Sequence, residues 1–166
     1  MTINSDVTIF NLRIGADRRE KFYATRILGV SWYGSKGQVV SDTVRKGTAQ
    51  CVIRIPYTAI VEGGKQYISE EEYKKLSDEE AERHWTIQKN AYIVRGQLDI
   101  VRGQLEVAGQ WVFDTFSFQH GVILKETIED LAKLRQHDED FVTITEYADN
   151  TLRGTDRTKH WRIGGA

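Results

Sequence analysis

Phe141-Val-Thr-Ile-Thr-Glu-Tyr147, followed after a polar stretch by His160-Trp-Arg-Ile-Gly-Gly-Ala166, sets the architecture of this chain. Successive residues of a strand point to opposite sides. Phe141, Thr143, Thr145 and Tyr147 therefore share one face, and Val142, Ile144 and Glu146 share the other. Ala148 to Gly154 reads as a turn, and Lys159 to Ile163 as a second β-prone run ending almost at the last residue. A chain finishing on a strand needs that edge paired, within its own barrel or by a neighbour. Trp161 and Ile163 flank Arg162, which predicts a buried indole whose N–H reaches a carbonyl. Gly164 and Gly165 are expected to let the chain leave the sheet without a side-chain clash.

Upstream, Val7 to Leu12 alternates as a short strand, and Lys21 to Tyr33 as a longer one with a kink or bulge at Gly29. Gln50 to Ile55 is a further strand. It closes at Pro56, the only proline, so that end belongs at a sheet margin. Trp85 to Gln88 and Tyr92 to Arg95 read as short strands around a Lys-Asn-Ala turn. Trp32, Trp85 and Trp161 fall in strand patterns and are assigned to the core.

Helical signals are few. Ser69-Glu-Glu-Glu72 and Ser77-Asp-Glu-Glu80 are capping boxes, in which the serine oxygen accepts from the third helical amide. They predict two short helical turns, or one broken helix, in an exposed acidic excursion over residues 62–83. Only Tyr73 and Leu76 offer it an apolar face, so light packing is expected. Leu124 to Gln136 is the strongest helix, with Leu124, Ile128, Leu131 and Leu134 as its stripe. Its acids lie early and Lys133 and Arg135 late, which suits the helix dipole. Leu131 is expected in the core, against the barrel.

From Ile93 the sequence repeats: Ile-Val-Arg-Gly-Gln-Leu-Asp, then Ile-Val-Arg-Gly-Gln-Leu-Glu. Two copies of seven residues are too few for a solenoid. An uninterrupted strand would put the copies on opposite faces, so a turn or bulge at Gly96 or Gly103 is expected, within a hairpin insertion over residues 97–120. Trp111, Phe113, Phe116 and Phe118 follow within eight residues. That density makes them a candidate interface, the alternative being that they cover this chain's own core. The expected fold is mainly β: a small antiparallel β-barrel or sandwich in one domain spanning residues 1–166, with one packed α-helix and long inserted loops.

Composition narrows the function. With 166 residues and 40% hydrophobic content, the chain can bury roughly 70% of its unfolded surface, so neither disulfide nor metal is required. A formal net charge of −1 without a basic block argues against tight non-specific DNA binding. Cys51 reads as a small core residue. No apolar run approaches membrane-spanning length and no leader precedes the first strand, so a soluble protein made in the cytoplasm is expected. No phosphate loop, dinucleotide fingerprint or nucleophile elbow occurs, and His84, His120, His137 and His160 lack ligand spacing. Neither catalysis, a cofactor nor a metal is expected.

Several segments, taken together, carry a family resemblance. They are Ile27-Leu-Gly-Val-Ser-Trp32, Val52-Ile-Arg-Ile-Pro56, Tyr67-Ile-Ser-Glu-Glu-Glu-Tyr73, His84-Trp-Thr-Ile-Gln88 and Tyr92-Ile-Val-Arg-Gly96. Ile128-Glu-Asp-Leu131, Ile144-Thr-Glu-Tyr-Ala-Asp-Asn150 and His160-Trp-Arg-Ile-Gly-Gly165 complete the series. In their order and spacing they resemble small proteins of the head–tail connector of tailed bacteriophages and prophages. The doubled Val-Arg-Gly-Gln-Leu and the aromatic run to Phe118 depart from this likeness.

The resemblance implies a head-completion or stopper-like protein of the virion neck, present in the host cytoplasm during assembly. It would form a homo-oligomeric ring between portal or adaptor and tail, closing the DNA-filled head and presenting a surface to a tail terminator or tail tube. Genomic DNA would pass through its channel. The loop Ser35–Gly47, with Lys36, Arg45 and Lys46, is then the candidate channel loop. The alternatives are a tail terminator or other tail-side ring, and a nucleic-acid-binding β-barrel.

Overall fold

Both faces of the first strand are covered. The computed structural model describes residues 2–34, 51–96, 99–101, 104–107, 110–113, 122–134 and 140–166. In it, β1 (Ser5–Ile14) buries Val7, Ile9, Asn11 and Arg13 on one face and Thr8 and Phe10 on the other. A strand enclosed on both sides needs a sheet wrapped around one face and further structure over the other.

The remaining elements follow in order. They are β2 (Glu20–Gly34), β3 (Cys51–Pro56), β4 (Ile60–Val61), a 3-10 turn at Glu62–Gly64 and β5 (Gln66–Tyr67). Next come α1 (Glu70–Lys74), α2 (Asp78–Ala81), β6 (His84–Trp85) and β7 (Tyr92–Arg95). β8 (Asp99–Val101), β9 (Gln104–Val107), β10 (Gln110–Phe113) and β11 (Val122–Leu124) precede α3 (Lys125–Leu134), β12 (Phe141–Asn150) and β13 (His160–Gly165).

Six antiparallel strands close a barrel in the order β1-β7-β12-β13-β3-β2, with β2 returning to β1. β2 achieves the closure by serving two neighbours in turn. Its first part pairs with β1, and Ser31 to Gly34 pair with β3. The change occurs at the expected bulge. Between Ser5↔Val30 and Val7↔Ile27 the β2 strand carries one extra residue, and Gly29 sits at φ +82°. Glycine reaches that region without steric cost, and Asp6 Oδ1 accepts from its N–H at 2.9 Å.

The C-terminal strand is interior. β13 lies between β12 and β3, paired along both edges, and Ala166 exchanges two backbone hydrogen bonds with Thr143 at 2.9 and 3.0 Å. Two expectations are corrected here. β12 runs on to Asn150, past the predicted start of the turn at Ala148. Gly164 and Gly165 stay in the sheet instead of releasing the chain, because β13 approaches β12 closely. A Cβ on Gly165 would overlap Val142 Cγ1 and stand 2.9 Å from the Thr143 carbonyl oxygen. A register shift between Ile144 and Glu146 places Thr145 in a bulge, so the face alternation read for this strand holds only up to it.

Trp32, Trp85 and Trp161 are core residues, as expected, and Cys51 is buried with them. Trp85 and Trp161 meet edge to face at 5.0 Å, and Tyr67 packs on both. The Trp161 indole differs from expectation in one respect: its Nε1 is buried without a partner among the described residues.

The segment after Trp85 is also corrected. Only His84 and Trp85 are strand, and they pair in parallel with β5 instead of forming a hairpin with β7. Residues 86–88 are held to β1 by side chains. Asn11 Nδ2 donates to the Thr86 carbonyl and Asn11 Oδ1 accepts from its amide. Gln88 does the same to Leu12, at 2.9 and 2.7 Å. Two amide side chains thus stand in for a backbone ladder, and buried amides need such complete pairing.

α3 starts at Lys125, because Leu124 belongs to β11 and pairs with Lys21 of β2. Ile128 on the predicted stripe is fully buried. Leu131 lies in α3, and its side chain is outside the described residues.

Candidate functional site

The aromatic insertion forms a sheet of its own in the order β10-β9-β8. The heptapeptide repeat explains its shape. In the first copy Ile93-Val-Arg95 is barrel strand, and Gly96 at φ +96° turns the chain out of it. In the second, Ile100 and Val101 lie in β8 and Gln104 to Glu106 in β9, so the same residues make a hairpin. Trp111 and Phe113, two apart in β10, pair in register with Glu106 and Gln104 of β9. β10 runs antiparallel to β9, with Gln110 paired to Val107. Phe116 and Phe118, and the channel-loop candidates Lys36, Arg45 and Lys46, lie outside the described residues.

Light packing of the acidic excursion is overturned. Ser69 and Ser77 cap α1 and α2 as predicted, accepting from Glu72 and Glu80 amides at 3.4 and 3.3 Å. Beneath them Tyr73 and Ala81 are fully buried, with Tyr23, in a second small core. Arg13 anchors the assembly. Its Nη2 donates to the Leu76 carbonyl at 2.7 Å and to Asp78 Oδ1 at 2.9 Å, and its Nη1 reaches the Ser77 carbonyl at 3.3 Å. The guanidinium also lies over the Tyr23 and Tyr73 rings, at 5.6 and 6.0 Å. Tyr147 ties down the start of α1 by donating to Glu70 at 3.1 Å. What the excursion presents outward is therefore held rigidly: Glu71, Glu72, Glu79 and Glu80, all exposed.

Beyond Gly29, β2 leaves β1 and β3 ends at Pro56, and a groove of about 420 Å³ opens there. Ile3, Leu28, Ala59 and Ile60 give it an apolar lining, and Arg157 stands at its side. Ile3 and Ile60 are 52% and 66% exposed, high for isoleucines that share one groove. Tyr57, next in sequence to Pro56, lies half exposed against Trp161 with the Lys159 ammonium 5.3 Å from its ring centre.

Three ionisable groups of residues 65–73 are partly or fully withdrawn from solvent. Lys65 Nζ donates to the Ala24 carbonyl at 2.9 Å and to Thr25 Oγ1 at 3.1 Å. Burial lowers its pKa below the ordinary lysine value, opposed by Glu82 and Glu62. Burial also pushes the Tyr67 phenol up to about 12, helped by the Asp149 charge. The Tyr73 phenol is raised by its burial, with Arg13 opposing. Arg13, Asn11, Lys65 and Gln88 were not picked out from the sequence. The available signal was polar residues at inward positions of a strand pattern, as in Asn11-Leu-Arg13.

Among the described residues no group of three or more His, Cys, Asp or Glu is assembled as a metal site. His84 Nδ1 contacts the Glu80 carbonyl and His160 Nδ1 that of Thr158, at 2.8 and 2.9 Å. No helix among the described residues is long and apolar enough to cross a membrane. No curated protein and no solved structure matches the chain. A family model does, over residues 1–166, and the chain belongs to that family, DUF6751, a family of unknown function.

Proposed function

We propose that this protein is a structural subunit of the phage neck, forming a ring between portal or adaptor and tail. The ring closes the DNA-filled head and offers the tail its attachment surface. One observation supports the reading: five of the eight segments that resemble connector proteins fall on strands of a closed barrel. Ile27–Trp32 lies in β2, Val52–Pro56 in β3, Tyr92–Arg95 in β7, Ile144–Asn150 in β12 and His160–Gly165 in β13. A closed barrel leaves no long open edge and gives a ring subunit a stiff body. Contacts to portal and tail then belong to the inserted parts, among them the sheet carrying Trp111 and Phe113. The near-neutral charge suits a wall past which DNA must slide. The core positions of Trp32, Trp85 and Trp161 remove those rings as stacking platforms, which weighs against a single-strand-binding barrel.

The test is genetic and structural. Loss of the chain should yield heads that package DNA, then leak it, and carry no tails. Sealed, filled heads beside tails of irregular length would identify a tail terminator. Normal tailed particles would overturn both readings.

A further inference from the structure

Two surfaces of opposite charge lie on this molecule, one anchored at Arg13 and one beside the groove at Ile3. At the Arg13 end, residues 70–82 carry seven carboxylates against two lysines. Asp78 and Glu70 are engaged within the molecule, while Glu71, Glu72, Glu79 and Glu80 face solvent. At the Ile3 end lies the apolar groove with Arg157 beside it. Arg157 belongs to the loop joining β12 to β13, residues 151–159, which carries Arg153, Arg157 and Lys159 against Asp156. Lys159 is 3.6 Å from Asp156, and Arg153 and Arg157 are exposed.

β1 has ten residues, so roughly 30 Å of strand lies between its Ile3 end and Arg13, which anchors α2. We propose that the two surfaces meet between copies: the acidic α1–α2 face of one subunit seats on the groove and on Arg153 and Arg157 of the next. The inference rests on the ring reading above and names its subunit contact. Two different patches joined head to tail make a heterologous interface, which closes into a ring when its rotation closes. Opposite charge selects the partner and register, while Ile3 and Ile60 supply the apolar floor from which water is excluded. Arg13 serves the contact indirectly, because it fixes the excursion that carries the acids.

Sedimentation of the full chain tests this by charge exchange. Wild type should self-associate, and less so between about 0.1 and 1 M salt, as the screening length falls from about 10 to 3 Å. The variants Arg153→Glu/Arg157→Glu and Glu71→Lys/Glu72→Lys/Glu79→Lys/Glu80→Lys alter exposed residues only, and a cooperative melting transition checks that each folds. Each alone should lose self-association, since both of its patches then carry one sign. An equimolar mixture of the two should regain it, because each acidic patch now finds a basic one on the other variant. Association of either variant at wild-type strength, or a mixture that stays monomeric, overturns the contact while leaving a ring built another way. A wild-type chain monomeric at every concentration overturns the contact too, and the ring reading is then judged by the leakage of heads lacking the protein.

Discussion

Arg13 and Asp78 are 65 positions apart in sequence and 2.9 Å apart in space, and their ion pair fastens the acidic excursion to the first barrel strand. The arginine side chain is 6% exposed and the carboxylate 40%, so the cation carries most of the desolvation. Removing one partner of such a pair leaves the other polar groups unpaired. Arg13→Ala also strips the Leu76 and Ser77 carbonyls of a donor. A loss of about 2–4 kcal/mol in chemical denaturation is expected. Amide exchange in residues 69–83 should quicken before the barrel's does. Uniform exchange throughout the chain would show that the excursion and barrel open as one unit.

Gly165→Ala examines the closeness of the last two strands. The added methyl must displace Val142 or the Thr143 backbone, and overpacking of this kind costs about 1–3 kcal/mol. Val142→Ala should recover part of that loss and not all, since the Thr143 carbonyl remains in the way. As a control, Gly64→Ala meets no atom within 4 Å and should show only the strain of its positive φ, about 1 kcal/mol.

Ending the chain after Thr158 deletes β13 from between β12 and β3 and opens the barrel along two ladders. Trp161 and Ile163 leave the core with it. Set against a total stability of about 5–15 kcal/mol, the loss should leave no folded state. The purified truncate should therefore be insoluble or lack a cooperative thermal transition. A sharp melt would mean that the other strands close without it.

Alkali should unfold the protein early. The Tyr67 phenol lies at about 12 in the folded chain against 10.0 for its ordinary value, and that of Tyr73 is also raised. A folded pKa above the unfolded one means that the unfolded chain releases its proton first. The stabilisation is complete below pH 10 and is lost as pH climbs to about 12. Lys65 acts in the opposite sense, because its lowered pKa makes folding easier once it is neutral. The midpoint temperature should fall over this range in wild type and fall less in Tyr67→Phe/Tyr73→Phe. Equal slopes would place the responsible groups elsewhere.

The barrel's strands were legible in the sequence because their signals are local. Short β-prone runs mark β3, β7 and β13, and Gly29 marks the bulge where β2 changes partner. Serine caps likewise announce α1 and α2 within four residues. What escaped were relationships across the chain. Nothing near Tyr73 says that Arg13 lies beneath it, and nothing near Gln88 says that it replaces a strand partner for Leu12. The role of Gly165 is of the same kind: local reading gives freedom, while the neighbouring Val142 makes it a spacing requirement. The acidic excursion looked loosely packed because its apolar residues are few, yet Tyr73 and Ala81 suffice once Tyr23 is supplied from β2.

Imaging of assembled particles bears hardest on the function. Ala166 is paired into the sheet, so an electron-dense label belongs at the N-terminus. On tailed particles built with the labelled chain, the density should form a ring at the neck, between portal and tail. Label on the tail shaft or baseplate, or absent from purified virions, would contradict the neck assignment.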